Sequence, residues 1–244
     1  MAVSIEVCID NIESLTTAIN AGANRIELCS ALALGGLTPS AGLIKQAVQL
    51  STIPVYAMVR PRAGDFIFNQ REVDIMVDDI SLMKALGVNG VVIGALTPEG
   101  NIDRAALGQL LTAAKGLGVT FHRAFDLCCN PDKTLEELIE LGCERVLTSG
   151  LEATAESGID TIRKLVKQAN RRISIMAGAG VNANNAAKIV NATLVTELHL
   201  SGKTVRLSKM KACSNAQMGN NQTDDTAIGV TGFDNVHSVV SLFQ

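Results

Sequence analysis

The chain has 244 residues, a net charge of −3 and 47% apolar residues, but only 3% aromatic residues, with no Trp and one Tyr. No basic block or stripe marks a nucleic-acid face, and the longest apolar runs are too short to span a bilayer. The length suits one α/β barrel of about 250 residues. Six cysteines in so long a chain do not make a small disulfide scaffold. With no export signal ahead of the first strand, they predict reduced thiols in a cytoplasmic protein.

Residues 4–8 alternate polar and apolar, the period-two signature of a strand with two unlike faces. Residues 25–29 repeat the pattern. Ile5 and Val7 oppose Glu6 and Cys8 on the first strand, and Ile26 and Leu28 oppose Glu27 and Cys29 on the second. A short helix, 11–21, joins them, with Asp10 or Asn11 as N-cap and Gly22 as its stop. A Gly- and Pro-bearing loop, 30–40, leads to a helix at 41–50 and a third strand at 54–59. Helices are then expected at 72–86, 103–117, 131–141, 157–169 and 183–191. Strands are expected between them at 90–93, 119–122, 145–147, 173–176 and 197–200. Gly22, Gly87, Gly118 and Gly142 read as turn glycines after helices.

Eight strands alternating with helices, without a linker or a break in composition, predict a single (β/α)8 TIM barrel over 1–244. An open doubly wound sheet is the alternative, but the Gly-rich nucleotide fingerprint is absent after the first strand. Residues 203–232 are rich in Asn, Ser, Gly and Thr and read as a long irregular segment. A closing helix is expected at 234–243, with Val236, Val239, Val240 and Phe243 on one side.

In such barrels function sits at the C-terminal strand ends. The faces opposite the aliphatic side chains bring Glu6, Glu27, Arg60, His122, Glu197 and His199 towards that end, and the loops beyond add Arg62, Arg123, Asp126 and Ser149. Glu6 or Glu27 with His122 and His199 are candidates for acid–base work, with Asp126 beside them and Arg60 and Arg123 as anion clamps. A plainer reading pairs the carboxylates with the arginines to hold the upper barrel in register, and makes the histidines satisfied core residues. Gly178 and Gly180 after the seventh strand, and Ser201 and Gly202 after the eighth, occupy the position where barrels often hold a phosphate on backbone N–H groups. Small residues for tight turns explain them equally well. Cys143 reads as a buried hydrophobe. Cys128, Cys129 and Cys213 lack metal-ligand spacing.

Several blocks, taken in order, resemble the CutC family, known as copper homeostasis proteins. They are EVC at 6–8, RIELCS at 25–30, GG-x-TPS at 35–40, RPR-x-GDF at 60–66, GALT-xx-G-x-ID at 94–103, TFHRAFD at 120–126 and ERVLTSG at 144–150. The resemblance runs to about Gly202 and fades beyond it. It implies a (β/α)8 barrel, cytoplasmic copper handling, and Cys8 and Cys29 as Cu(I) ligands. Soft thiolates suit Cu(I), and neighbouring strands lie about 4.8 Å apart, near enough for two sulfurs to share an ion. The chemistry of the polar faces keeps a second reading open: an enzyme acting on a small anionic or phosphorylated metabolite. The expected partner is thus a copper ion or such a metabolite, with no nucleic acid and no membrane. Assembly into a homo-oligomer is left open.

Overall fold

The computed structural model describes residues 3–211, 216 and 225–244. Strands β1 (Ser4–Ile9), β2 (Arg25–Leu28), β3 (Val55–Met58), β4 (Gly90–Ile93), β5 (Gly118–Phe121), β6 (Arg145–Thr148), β7 (Ser174–Ala177) and β8 (Glu197–Leu200) form a closed barrel in sequence order. All are parallel, and β8 returns to pair with β1. Helices α1 (Ile12–Asn20), α2 (Ala41–Leu50), α3 (Gln70–Leu86), α4 (Arg104–Ala113), α5 (Pro131–Glu140), α6 (Ile159–Ala169) and α7 (Ala186–Thr193) lie between successive strands. This is the TIM barrel expected from the alternation.

Helices α1 to α5 start where the sequence supplies a side-chain cap, whereas α6 and α7 start without one. Asn11, Ser40, Asn69, Asp103 and Asn130 each accept from a backbone N–H of the first turn. Each such cap is worth about 1 kcal/mol. Asn69 and Glu72 form a reciprocal capping box, so α3 starts two residues before the predicted 72. The outward aliphatic faces of the strands, such as Ile5, Val7, Ile26, Leu28, Val91 and Ile93, pack against the buried stripes of these helices as one core.

Gly22, Gly87 and Gly142 do adopt positive φ after their helices. Gly118 does not; Gly116 makes that turn, and Gly118 opens β5. Its reason for being glycine is Tyr56. A Cβ on Gly118 would stand 2.7 Å from Tyr56 Cζ, and one on Gly90 2.6 Å from the same atom. The barrel's single Tyr fills the space two missing side chains leave.

The expectation of an irregular 203–232 is corrected in part. β9 (Lys203–Leu207) and β10 (Ala227–Thr231) pair antiparallel, with Lys203 opposite Thr231 and Leu207 opposite Ala227. This ribbon buries little, so no alternating apolar face advertised it in the sequence. It is tied to α1: Arg206 pairs with Glu13, and the Thr231 N–H donates to Ser14 Oγ. Cys213 and the remainder of the connection, 212–215 and 217–224, lie outside the described residues. Helix α8 (Phe233–Val240) closes the chain, burying Val236, Val239 and Val240.

Candidate functional site

The barrel interior carries two polar layers. The lower one is an ion network near the N-terminal strand ends. Arg25 donates to Glu6 and Glu197, and Arg145 donates from Nε to Glu197 (2.6 Å), from Nη1 to Thr120 Oγ1 (3.2 Å) and from Nη2 to Glu144 (3.0 Å). Ser174 Oγ completes the set on Glu197. Both guanidinium groups lie on the Tyr56 ring, 5.2 and 5.5 Å from its centroid. Glu197 is therefore held below the ordinary carboxylate range, because Arg145 and Arg25 outweigh the opposing effect of burial.

The upper layer holds Cys8, Glu27 and His199. Two strand registers assemble it: β1 and β8 place Glu6 opposite His199, and β1 and β2 place Cys8 opposite Glu27. Glu6 Oε1 lies 2.8 Å from His199 Nδ1, which leaves Nε2 turned towards Glu27 Oε2 at 3.8 Å. One ligand atom each from Cys8, Glu27 and His199 can be drawn within 4.8 Å of one another, and all three residues are buried. Among the described residues this group could hold a metal ion.

The electrostatics of the group are unusual. Burial alone would push the His199 imidazole down, but Cys8, Glu27 and Glu6 hold it well above its ordinary value. Burial raises the Glu27 carboxyl to about 7, with Glu6 adding to the rise and His199 opposing it. Glu6, equally buried, is lowered to about 2 because His199 and Arg25 overcome the burial penalty. Glu27 Oε2 accepts only the Cys29 thiol at 3.6 Å, and Glu27 Oε1 has no partner.

Above the group opens a cavity of about 850 Å³. Cys8, Glu27, Arg60, His122, Arg123, His199 and Ser201 all line it. The ribbon supplies much of the remaining wall through Lys203, Val205 and residues 227–231. The candidates Glu6 and Cys29 do not reach the cavity. Glu6 stands behind His199. Cys29 is fully buried among Tyr56, Met58 and Val92, with its thiol raised well above the ordinary range by burial and then by Glu27. It also lies outside the Cys8–Glu27–His199 group, two residues beyond the β2 position that faces Cys8.

Arg60 laces two loops together. Nη1 donates to Leu34 O (3.0 Å) and Gly36 O (3.3 Å), Nη2 donates to Gly64 O (2.7 Å), and Nε has no partner. His122 Nδ1 accepts from the Ala124 N–H at 3.1 Å and caps a short 3-10 turn over Arg123–Leu127. Its Nε2 is buried and unpartnered. Burial, with the Arg60 charge adding to it, lowers the ring to about 3, so it is neutral at physiological pH. Arg123 is drawn aside to Asp126 (2.7 Å) and Ser149 Oγ (2.9 Å). Asp126 in turn accepts from Thr148 Oγ1 and from the N–H groups of Ser149 and Leu151, which closes the loop after β6.

Of the glycine group, Gly178, Gly180 and Gly202 do not line the cavity. The Gly178 N–H donates to Thr148 O, and a Cβ on Gly178 would stand 2.6 Å from Leu147. Gly202 lies against Val236 of α8. Sequence reasoning also passed over Arg25, Arg145 and Tyr56. The signal was present: Arg25 is in phase with Glu27 and Cys29, and Tyr56 with Met58 and Arg60.

Comparison with known proteins agrees with this architecture. The family model described as the CutC family matches residues 3–204. A CutC family protein of Pasteurella multocida is 59% identical over 235 residues, covering 96% of each chain. Its counterpart in Histophilus somni is 55% identical over 240 residues, covering 98% of this chain and 99% of the relative. The crystal structure of a candidate copper homeostasis protein CutC from Streptococcus agalactiae superposes with a TM-score of 0.79 at 39% identity. It covers 82% of this chain and 98% of that one.

Proposed function

The chain belongs to the CutC family, and from that premise we propose that it handles copper in the cytoplasm, binding Cu(I) through thiols at the barrel mouth. The observation that carries the reading is the convergence of Cys8, Glu27 and His199, all buried, on a volume the size of one ion. Cu(I) prefers thiolate and imidazole donors. Cys8 is the sulfur that reaches the cavity, and His199 Nε2 is the nitrogen beside it. Glu6 on His199 Nδ1 is the kind of outer carboxylate that orients metal-bound histidines. Cys29 is the second thiol, reached only if its hydrogen bond to Glu27 gives way. The cytoplasmic location belongs to the same proposal, since free thiols persist in a reducing compartment.

Competition against a Cu(I) chelator tests it. Cys8→Ser is expected to lower Cu(I) affinity at least a hundredfold, and Cys29→Ser by less. Wild-type affinity in Cys8→Ser would end the reading.

A second reading is favoured by the size of the cavity. A copper ion does not need about 850 Å³ lined by Arg60, His122 and Glu27. A small anionic metabolite would use that space, bound or turned over at the same mouth.

A further inference from the structure

Glu27 is the member of the upper layer that copper leaves unexplained. Its carboxyl is buried, and among the described residues no arginine or lysine pairs with it. Oε2 takes the Cys29 thiol at 3.6 Å and faces His199 Nε2 at 3.8 Å. A buried carboxylate with so few partners is costly, and a soft Cu(I) ion gains little from a hard oxygen. We propose that Cys8, Glu27 and His199 bind a zinc ion through Sγ, a carboxylate oxygen and Nε2, with a fourth position open to the cavity. This rests on the reading of that group as a metal site, changes the ion, and gives the anionic-metabolite reading an anchor for its ligand.

The donor set suits the ion. One sulfur, one imidazole nitrogen and one carboxylate oxygen are the three donor types that zinc takes in proteins. All three lie within 4.8 Å of one another. Two ligands about 2.0 to 2.1 Å from a tetrahedral zinc stand roughly 3.4 Å apart. The 3.8 Å between His199 Nε2 and Glu27 Oε2 is close to that spacing. Glu6 on Nδ1 fixes the ring with Nε2 turned to the ion, as outer carboxylates do for zinc-bound histidines.

The charge balance asks for a divalent ion. In the lower layer Arg25 and Arg145 are matched by Glu6 and Glu197. A metal is bound by the thiolate and by the neutral ring. With Glu27 ionised, the upper layer then carries two negative charges. Zn(II) cancels both, whereas Cu(I) leaves one of them buried. Arg60, Arg123, Lys203 and Asp10 also line the cavity, but none of the three cations pairs with Glu27. Arg60 is spent on loop carbonyls and Arg123 on Asp126. Lys203 is exposed and, among the described residues, has no ion pair. It is the cation left to meet the anionic end of a ligand.

Three protein ligands and one free position are the pattern of catalytic rather than structural zinc sites. Cys8, Glu27 and His199 all line the cavity, so the free position faces it. Cys29, the one further thiol nearby, does not line the cavity and packs among Tyr56, Met58 and Val92.

The test is titration of the chelator-treated full chain, kept reduced, with Zn(II) against a colorimetric chelator and with Co(II) as a spectroscopic stand-in. One Zn(II) per chain is expected, and Co(II) should show a thiolate charge-transfer band that Cys8→Ser removes. Glu27→Gln is expected to weaken Zn(II) binding about a hundredfold or more, since even outer-shell partners are worth about 10- to 100-fold. The same variant should leave Cu(I) affinity unchanged. If Glu27→Gln does not fold, Glu27→Asp, which draws the carboxylate back by one methylene, is read in its place. Cys29→Ser should keep Zn(II), and acetate should shift the Co(II) spectrum by entering the open position. No uptake of Zn(II), or unchanged Zn(II) affinity in Glu27→Gln, overturns the proposal and leaves the copper reading to its own test. Zn(II) lost in Glu27→Gln while Cys8→Ser keeps wild-type Cu(I) affinity supports the proposal and ends the copper reading. Loss of Zn(II) in Cys29→Ser, or a Co(II) spectrum indifferent to acetate, overturns the open position.

Discussion

Glu27→Gln isolates what the site costs the fold. The wild-type carboxyl is fully buried, one oxygen accepts only a thiol proton, and the other accepts nothing. Burial lifts its pKa from 4.5 to about 7, with Glu6 adding to the rise. The folded protein therefore holds this proton more tightly than the unfolded chain does. The resulting stability is fully present below pH 4.5 and is lost as pH rises through 7. Each pH unit across that window costs about 1.4 kcal/mol, so ionising Glu27 costs about 3 kcal/mol in all. Glu27→Gln keeps the volume and removes the ionisation. Urea denaturation of chelator-treated wild type and variant at pH 5 and pH 8 measures the difference. Relative to wild type, Glu27→Gln should gain about 2 to 3 kcal/mol on going from pH 5 to pH 8. A stability difference independent of pH, or one that shifts the other way, would refute the reasoning. The gain would also mark Glu27 as a residue whose charge the fold alone does not need.

Two further outcomes follow from the lower layer. Glu197→Ala removes the shared acceptor of Arg25 and Arg145 and should cost about 3 to 5 kcal/mol in denaturant unfolding, the usual result of breaking a buried pair from one side; a loss below about 1 kcal/mol would mean that solvent reaches the network. Gly118→Ala sets a methyl 2.7 Å from Tyr56 Cζ and should cost about 1 to 3 kcal/mol. Tyr56→Phe in the same chain should recover part of that loss, because the hydroxyl is the atom the methyl meets first, and a strictly additive double-mutant cycle would show that the two positions do not touch.

The barrel was legible because its signal is local and repeated. Eight apolar runs, each followed by an amphipathic stretch and five of those with a side-chain cap, specify eight parallel units, and the inward phase of Glu6, Glu27, His122 and His199 follows from alternation alone. What alternation does not carry is height. It places Cys8 and Cys29 on the same face of adjacent strands, but the register sets Cys8 against Glu27 and leaves Cys29 beyond it, among Tyr56, Met58 and Val92. It also says nothing of which polar groups satisfy each other. Asp126 and Arg123 are polar residues at a strand end, as an active site would require, yet they spend their hydrogen bonds closing the loop after β6. The ribbon was illegible for another reason: strands that bury little leave no hydrophobic period to read.

The site depends on barrel closure in a way that an open sheet could not reproduce. Glu6 and His199 are 193 residues apart and become neighbours only because β8 pairs with β1. At the same seam, Arg25 ties Glu6 on the first strand to Glu197 on the last. Glu6 is thus shared: one oxygen belongs to the ion network that rivets the seam, and the other orients the imidazole that faces Cys8 and Glu27. The lower layer is therefore more than filler for the barrel. By holding Glu6 ionised and fixed, it sets which nitrogen of His199 looks into the cavity, and so the chemistry available at the mouth is decided by a carboxylate that never reaches it.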